Sequence, residues 1–317
     1  MYEGKTVAVV VPAYNVARLL PVVLETMPSF VDRVFVVDDQ SSDGTPEVAQ
    51  RFVDRNPHQI RLICREANGG VGAAIATGYT AALEEEMDVV AVMAGDAQMD
   101  PADLNRVVGP VCRGEADYVK GNRLFRGESW AMIPKIRYFG NSFLSLLTKI
   151  ASGYWHVADS QCGYTAISRV AIERIEPSKI YPRYGMPNDV LIKLNIHNFV
   201  VRDVSVRPVY GVGERSGIRL RKVVFTIPSI LFAGFLRRML WKYVILDFHP
   251  LVFFYMLAAV LLPIGTVFGL YLVLLRLFIA NAVAVTSALF ASFLFISGLQ
   301  SLFFAMWFDM DYNKTLR

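Results

Sequence analysis

Two stretches near the end of the chain carry no Asp, Glu, Lys, Arg or His: residues 251–275 and residues 282–308. As a helix the shorter one is ~37 Å long, more than the about 30 Å of a bilayer's hydrocarbon core. A long helix in a soluble core would show a polar face, and neither stretch has one. Only a few residues around Arg276 and Asn281 join them. An antiparallel transmembrane hairpin is therefore expected, with both of its ends on one side of a membrane. Arg219, Arg221, Lys222, Arg237, Arg238 and Lys242 precede it, Lys314 and Arg317 follow it, and Arg276 stands alone in the turn. By the positive-inside rule the N-terminal part and both termini are expected to be cytoplasmic, in a multi-pass protein of the cell membrane.

Composition agrees with this reading. Hydrophobic residues make up 54% of the 317 and charged ones 19%, and the mean hydropathy is +0.38, too apolar for a wholly soluble protein of this size. The net charge of +4 is concentrated beside the apolar stretches, which favours anionic lipid headgroups over nucleic acid as a partner. A strand-like "TVAVVVPAYN" begins at Thr6 with no basic start or cleavage site before it, so no secretory leader is expected. Cys64, Cys112 and Cys162 are scattered and odd in number, without metal spacing, and read as reduced cytosolic thiols.

Through the first half of the chain, strand-like and helix-like segments alternate. "TVAVVVP", "RVFVVDD", "IRLIC" and "DVVAVMAGD" are each followed by a helical pattern, from about Arg18, after Pro46, from Gly70 to Glu86 and from Pro101. That rhythm predicts a mostly parallel sheet with helices on both faces. Ligands in such sheets sit beyond the carboxyl ends of the strands, where "PAYN", "DDQSSDGT", "REANGG" and "GDAQMD" all fall. "DYVKGNR" reads as a further strand and loop, and 136–152 as a helix whose Phe139, Phe143, Leu146 and Leu147 form a core stripe. "NDVLIKLNIHN" reads as helix and "FVVRDVSVRPV" as strand. Residues 223–246, broken near the start by Pro228 and basic at Arg237, Arg238 and Lys242, are expected to lie in the membrane interface. The expected organisation is a catalytic domain over 1–220, amphipathic interface helices over 221–249, and the hairpin with a short tail over 250–317.

No GxGxxG follows the first strand, which argues against a dehydrogenase. "NGGVGAA" places glycines at a helix start, where backbone N–H groups could meet phosphate or simply make a tight turn. Asp100 before Pro101 suits a helix cap, and Asp43-Gly44 suits a turn. His156, His197 and His249 read as structural.

Taken in order, "VPAYN", "VVDDQSSDGT", "NGGVGAA" and "AGDAQMDP" resemble family 2 glycosyltransferases over about residues 5–220. With "KGNR", "DSQCGYTAIS", "GERSG" and a membrane hairpin after them, the chain resembles the polyprenyl-phosphate branch, which includes dolichol-phosphate mannose synthases. The resemblance implies a GT-A α/β fold and a nucleotide-sugar donor, a GDP- or UDP-sugar. It implies that Pro12, Tyr14, Asn15, Asp39 and Asn68 hold the donor, that Asp96 and Gln98 bind Mg²⁺ or Mn²⁺, and that Arg123 lies at the diphosphate. Arg215 and Ser216 match the loop that closes over phosphates. A carboxylate and an amide oxygen also suit a hard divalent cation that completes its shell with diphosphate and water. Three positions depart from the family: Ala94 for the first Asp of the acidic loop, Val16 for Glu and Val71 for Lys. Because Asp39, Asp96, Gln98 and Arg123 persist, these departures point to a changed nucleotide preference.

If the acceptor is a polyprenyl phosphate, dolichyl or undecaprenyl, no protein base is needed, and Arg137, Arg215, Arg219 and Arg221 are the candidates to grip its phosphate. If the acceptor is a hydroxyl, Asp189 or Asp159 must act as base. Relatives that glycosylate hydroxyls carry a Glu-Asp or similar pair at Asn188-Asp189. "FLRRMLW" is no QxxRW, which disfavours a processive polysaccharide synthase. A membrane-anchored, non-catalytic scaffold on a degenerate transferase fold is the third reading, and homo-oligomerisation stays open.

Overall fold

The computed structural model describes residues 1–123, 135–207, 209, 220–279 and 283–317, with the side chains of 135–142 and 220–225 outside the description. It divides into two compact units, Met1–Leu236 with Thr315–Arg317, and Arg237–Lys314.

The first unit is built on seven strands: β1 Val7–Ala13, β2 Arg33–Asp38, β3 Ile60–Cys64, β4 Val89–Val92, β5 Tyr118–Asn122, β6 Thr165–Ser168 and β7 Val201–Ser205. Their order across the sheet is β3-β2-β1-β4-β6-β5-β7. All pairings are parallel except those of β6, which runs against both β4 and β5. Six strands thus end at one edge, and the reversed β6 begins there.

Every residue of β1, VAVVVPA, is buried, as a strand covered on both faces requires. Val7, Val9 and Val11 pack with α1 (Leu20–Glu25), α2 (Thr45–Arg55) and α4 (Leu104–Cys112). Ala8 and Val10 face the other layer, made by α3 (Val71–Glu84), α6 (Arg169–Ile175) and α7 (Met186–Ile196). The short α6 carries no long apolar period and is not apparent in the sequence. A third cluster joins α5 (Lys135–Ser152), α7 and α8 (Leu220–Leu240) through Ala151, Ile192, Ile196, Ile227 and Leu231.

Two expectations are corrected here. The stripe on α5 is only partly core: Leu147 packs inward with Leu144, while Phe143 and Leu146 are 64% and 46% exposed. The inward face follows the spacing 144, 147, 151, one step away from Phe143. Pro228 does not break the helix, because α8 runs unbroken through it. An interior proline costs about 3 kcal/mol in lost hydrogen bonding and ring clash, and the neighbouring Ile227 and Leu231, both buried, offset it.

In the second unit a π-helical turn at Trp241–Leu246 leads to two long helices, α9 Leu251–Phe278 and α10 Val285–Tyr312. Both are long and apolar enough to cross a membrane. His249 Nδ1 accepts the Leu251 N–H at the start of α9 (3.1 Å). At the same end of the pair, Arg238 and Asp309 form a fully buried bidentate ion pair (2.7 and 3.0 Å). Tyr243 donates to Asp309 (2.6 Å), and Lys242 donates to Asn313 (2.7 Å).

Candidate active site

The loops after β1, β2, β3 and β4 are tied to one another by hydrogen bonds that start from the residues singled out in the sequence. Gly95 N–H donates to the Pro12 carbonyl (3.1 Å), which fixes the acidic loop against the end of β1. Asn15, at φ 54°, accepts from Ser42 N–H (2.8 Å) and donates its own N–H to Ser41 (2.9 Å). Tyr14 stands beside it, 53% exposed. Asp43 accepts from Ala17 and Thr45 N–H (3.0 and 3.1 Å) and is held below its ordinary value. Burial raises its pKa, and the Thr45 and Ala17 hydrogen bonds outweigh that. Asp43 is therefore the turn residue its Gly44 neighbour suggests.

Asp39 is 3% exposed, and both its oxygens are occupied. Gly69 and Gly70 N–H donate to them (3.0 and 2.7 Å), as does Arg65 (2.5 Å), while Asn68 Nδ2 donates to the Asp39 carbonyl (3.0 Å). The glycine turn thus spends these two N–H groups on a carboxylate of its own chain, so they do not wait for phosphate. Gly72 is required for another reason: a Cβ there would lie 2.2 Å from the Tyr181 carbonyl.

Asp96 and Gln98 lie half-buried just past β4, on either side of Ala97 at φ 57°. Asp96 Oδ1 accepts the Gln98 N–H (3.2 Å). Asp100 caps the following turn by accepting from Ala102 N–H (2.9 Å), a bond worth about 1 kcal/mol. Among the described residues no three His, Cys, Asp or Glu side chains gather to hold a metal. Asp96 and Gln98 offer two oxygen donors, which fits a hard cation that draws its remaining ligands from a bound diphosphate. Val16 packs beside Gly95, whose Cβ position is 3.2 Å from it, and Ala94 N–H meets the Met99 sulfur (3.3 Å). Val71 packs against the second core cluster, so all three departures make apolar or sulfur contacts.

Just past β5, Arg123 grips Asp159 in a bidentate pair (Nε 2.8 Å, Nη2 3.1 Å). Burial pushes the Asp159 carboxyl up, but the Arg123 hydrogen bond and charge, with Lys120, hold it below its usual value. Asp159 is 4% exposed, and both of its carboxylate oxygens accept from Arg123. Asp189 is engaged in the same way: Lys193 (2.6 Å) and Tyr181 N–H (3.0 Å) both donate to its Oδ2. Through Tyr181 it braces the segment that abuts Gly72. Neighbouring Asn188, fully buried, accepts from Thr148 and Gln161 (both 3.1 Å). His156 binds the Val201 carbonyl (2.7 Å) as a structural residue.

Three further residues belong to this region. Arg65, the first residue of "REANGG", locks Asp39. Lys120 is fully buried, donates to the Cys162 carbonyl (2.6 Å) and is pushed down by burial. Asp203, pushed up by burial, accepts from Ala158 N–H and Asn122 Nδ2 (2.8 and 3.1 Å). Arg215, Ser216 and Arg219 lie outside the described residues, as do the side chains of Arg137 and Arg221.

A mixed sheet with the β6 reversal and an acidic loop after β4 is the arrangement of the GT-A fold. Residues 8–176 match the model of Glycosyl transferase family 2, and the chain belongs to that family. It is similar to the UDP-N-acetylglucosamine–dolichyl-phosphate N-acetylglucosaminyltransferase of Methanococcus voltae, 27% identical over 65% of this chain and 86% of that one. It is also similar to the polyprenol monophosphomannose synthase of Mycolicibacterium smegmatis, 26% identical over 73% and 88%. Among solved structures it resembles glucosyl-3-phosphoglycerate synthase of Mycobacterium tuberculosis bound to Mn²⁺, uridine diphosphate and phosphoglyceric acid. The TM-score is 0.55 at 21% identity, covering 74% of this chain and 78% of that one.

Proposed function

We propose that the protein transfers one sugar, with inversion, from a GDP- or UDP-sugar to a polyprenyl phosphate at the cytoplasmic face of a membrane. One observation carries the choice of acceptor: the two carboxylates placed to act as bases are both committed, Asp159 to Arg123 and Asp189 to Lys193. A hydroxyl nucleophile needs a base. A phosphomonoester, with its second pKa near ~6, is already mostly dianionic at neutral pH. The relatives named for dolichyl-phosphate and polyprenol substrates support the same acceptor class.

In this reading Pro12, Tyr14, Asn15, Asp39 and Asn68 shape the nucleoside end of the crevice. Arg123, held rigid by Asp159, faces the diphosphate and stabilises the charge that develops on it as the glycosidic bond breaks. Asp96 and Gln98 would hold Mg²⁺ or Mn²⁺, which neutralises the leaving diphosphate. The acceptor phosphate oxygen attacks the anomeric carbon from the opposite face. Arg137, Arg215, Arg219 and Arg221 supply the cations near the lipid headgroups, residues 221–249 lie at the interface, and the hairpin anchors the chain.

The test uses the full chain in nanodiscs with Mg²⁺ or Mn²⁺, a panel of radiolabelled UDP- and GDP-sugars, and undecaprenyl or dolichyl phosphate. A chloroform-soluble, mild-acid-labile product is expected. No product across the panel overturns the proposal. Asp96→Asn should lower kcat by about 10²-fold or more, the size of losing one preorganised charge-stabilising group. Loss of transfer in Asp189→Asn with donor binding intact would instead favour the hydroxyl acceptor.

A further inference from the structure

The two long helices meet tightly in their middle and part toward the turn. A Cβ on Gly265 would sit 2.6 Å from the Phe295 backbone nitrogen, and one on Gly298 would sit 2.8 Å from that of Leu262. One helical turn further along α9, a Cβ on Gly269 would meet nothing within 4 Å. A cavity of about 640 Å³ opens there, lined by Gly269, Leu272, Val273, Ala288, Ala291 and Phe295 among others. Its polar lining is self-satisfied, since Thr266 donates to the Leu262 carbonyl (2.7 Å) and Ser292 to the Ala288 carbonyl (2.9 Å). Little remains to hold water, so the space suits hydrocarbon.

Arg276 stands at the rim, and among the described residues it has no ion-pair partner. The residues between 251 and 308 include no carboxylate, so nothing on the hairpin's turn end can neutralise it. A second copy seated in this groove with the same membrane orientation would bring Arg276 toward Arg276. An anionic lipid has neither problem: its chain fills a dry apolar space, and its phosphate meets the guanidinium in a charge-assisted bond.

We infer that the groove between α9 and α10 binds one acyl chain of an anionic phospholipid whose phosphate rests on Arg276. This rests on the reading of α9 and α10 as membrane-crossing helices, and it concerns the leaflet at the turn end rather than the transfer site.

The test is native mass spectrometry of the full chain released from nanodiscs of mixed phosphatidylglycerol and phosphatidylethanolamine, without donor or acceptor. The wild type should retain one phosphatidylglycerol with about five-fold preference, the size expected of one Arg near a charged surface. Arg276→Gln should lose the preference but keep a lipid, and Gly269→Leu should lose the lipid. Equal retention in all three proteins overturns the proposal. So does disulfide dimerisation of Gly269→Cys, which would show a second copy in the groove. Alkaline carbonate extraction of the same proteins separates the two layers of inference. Retention in the membrane with no lipid preference sinks only the groove, whereas release into the supernatant sinks the membrane-crossing reading beneath it. Transfer assayed with donor and acceptor reports on the active site independently of both.

Discussion

Arg123 and Asp159 show how a single pair can set a site. Two parallel N–H···O bonds fix the guanidinium plane, and a Lys ammonium cannot reproduce that fork. Asp159→Asn is expected to lower kcat/KM for the donor by about 10²-fold, and Arg123→Lys should fail similarly; steady-state kinetics on the two variants checks both. The pair also carries a pH signature. The folded Asp159 pKa lies below the unfolded value of about 3.9, so its contribution is complete above that value and disappears as pH falls through the lowered one. The placement of Arg123, Asp96 and Gln98 just past strand ends was legible because each falls within a short polar motif. Arg65, Lys120 and Asp203 were not, because their significance comes from distant strands: Asn122 and Asp203 are 81 positions apart. The place of Asp39 at the end of β2 was legible, but its commitment to Gly69 and Gly70 only appears once β2 and β3 are side by side.

Among the elements, the joint between the end of α8 and the end of α10 is the most exacting. Removing one partner of the buried Arg238–Asp309 pair leaves an uncompensated charge and should cost about 3–5 kcal/mol. Arg238→Met/Asp309→Leu together should recover most of this, and thermal unfolding in detergent compares the three proteins. Burial, with Arg238 nearby, pushes Lys242 down to about 7. Its ammonium lies 5.7 Å from the Tyr243 ring centroid and 5.3 Å from that of Tyr312, and Asp309, Asn313, His249 and Asp247 complete the surroundings. Between about pH 7 and the unfolded value of about 10.4, the unfolded chain binds more protons than the folded one. Stability should therefore rise with pH across that window, and Lys242→Met should flatten the slope of Tm against pH. Element types followed from periodicity, but α6 is too short to show one, and Pro228 was overruled by the packing of its neighbours.

At the scale of the whole molecule, the alternation of strand and helix foretold the parallel core, since each crossover demands a covering helix. The reversal of β6 was not foretold, because direction within a sheet leaves no mark on a four-residue apolar run. Sidedness has a built-in reporter. Cys64 is exposed while Cys112 and Cys162 are buried, and burial pushes Cys112 up to about 11. A membrane-impermeant maleimide should label Cys64 in inverted vesicles and leave it untouched in intact cells; the opposite pattern would invert the proposed topology.

The strand order also imposes a schedule on synthesis. The chain leaves the ribosome N-terminus first and folds in units as it emerges. The partners of β1, β2 and β3 are all present once β4 has appeared at Val92, but the far side of β4 must wait for Thr165–Ser168 to return and pair with it. Until then the β3-β2-β1-β4 half of the sheet ends in an unpaired edge of β4, so the nascent chain is most prone to wrong strand pairing during those 72 residues between Met93 and Tyr164, before any of the hairpin has been made.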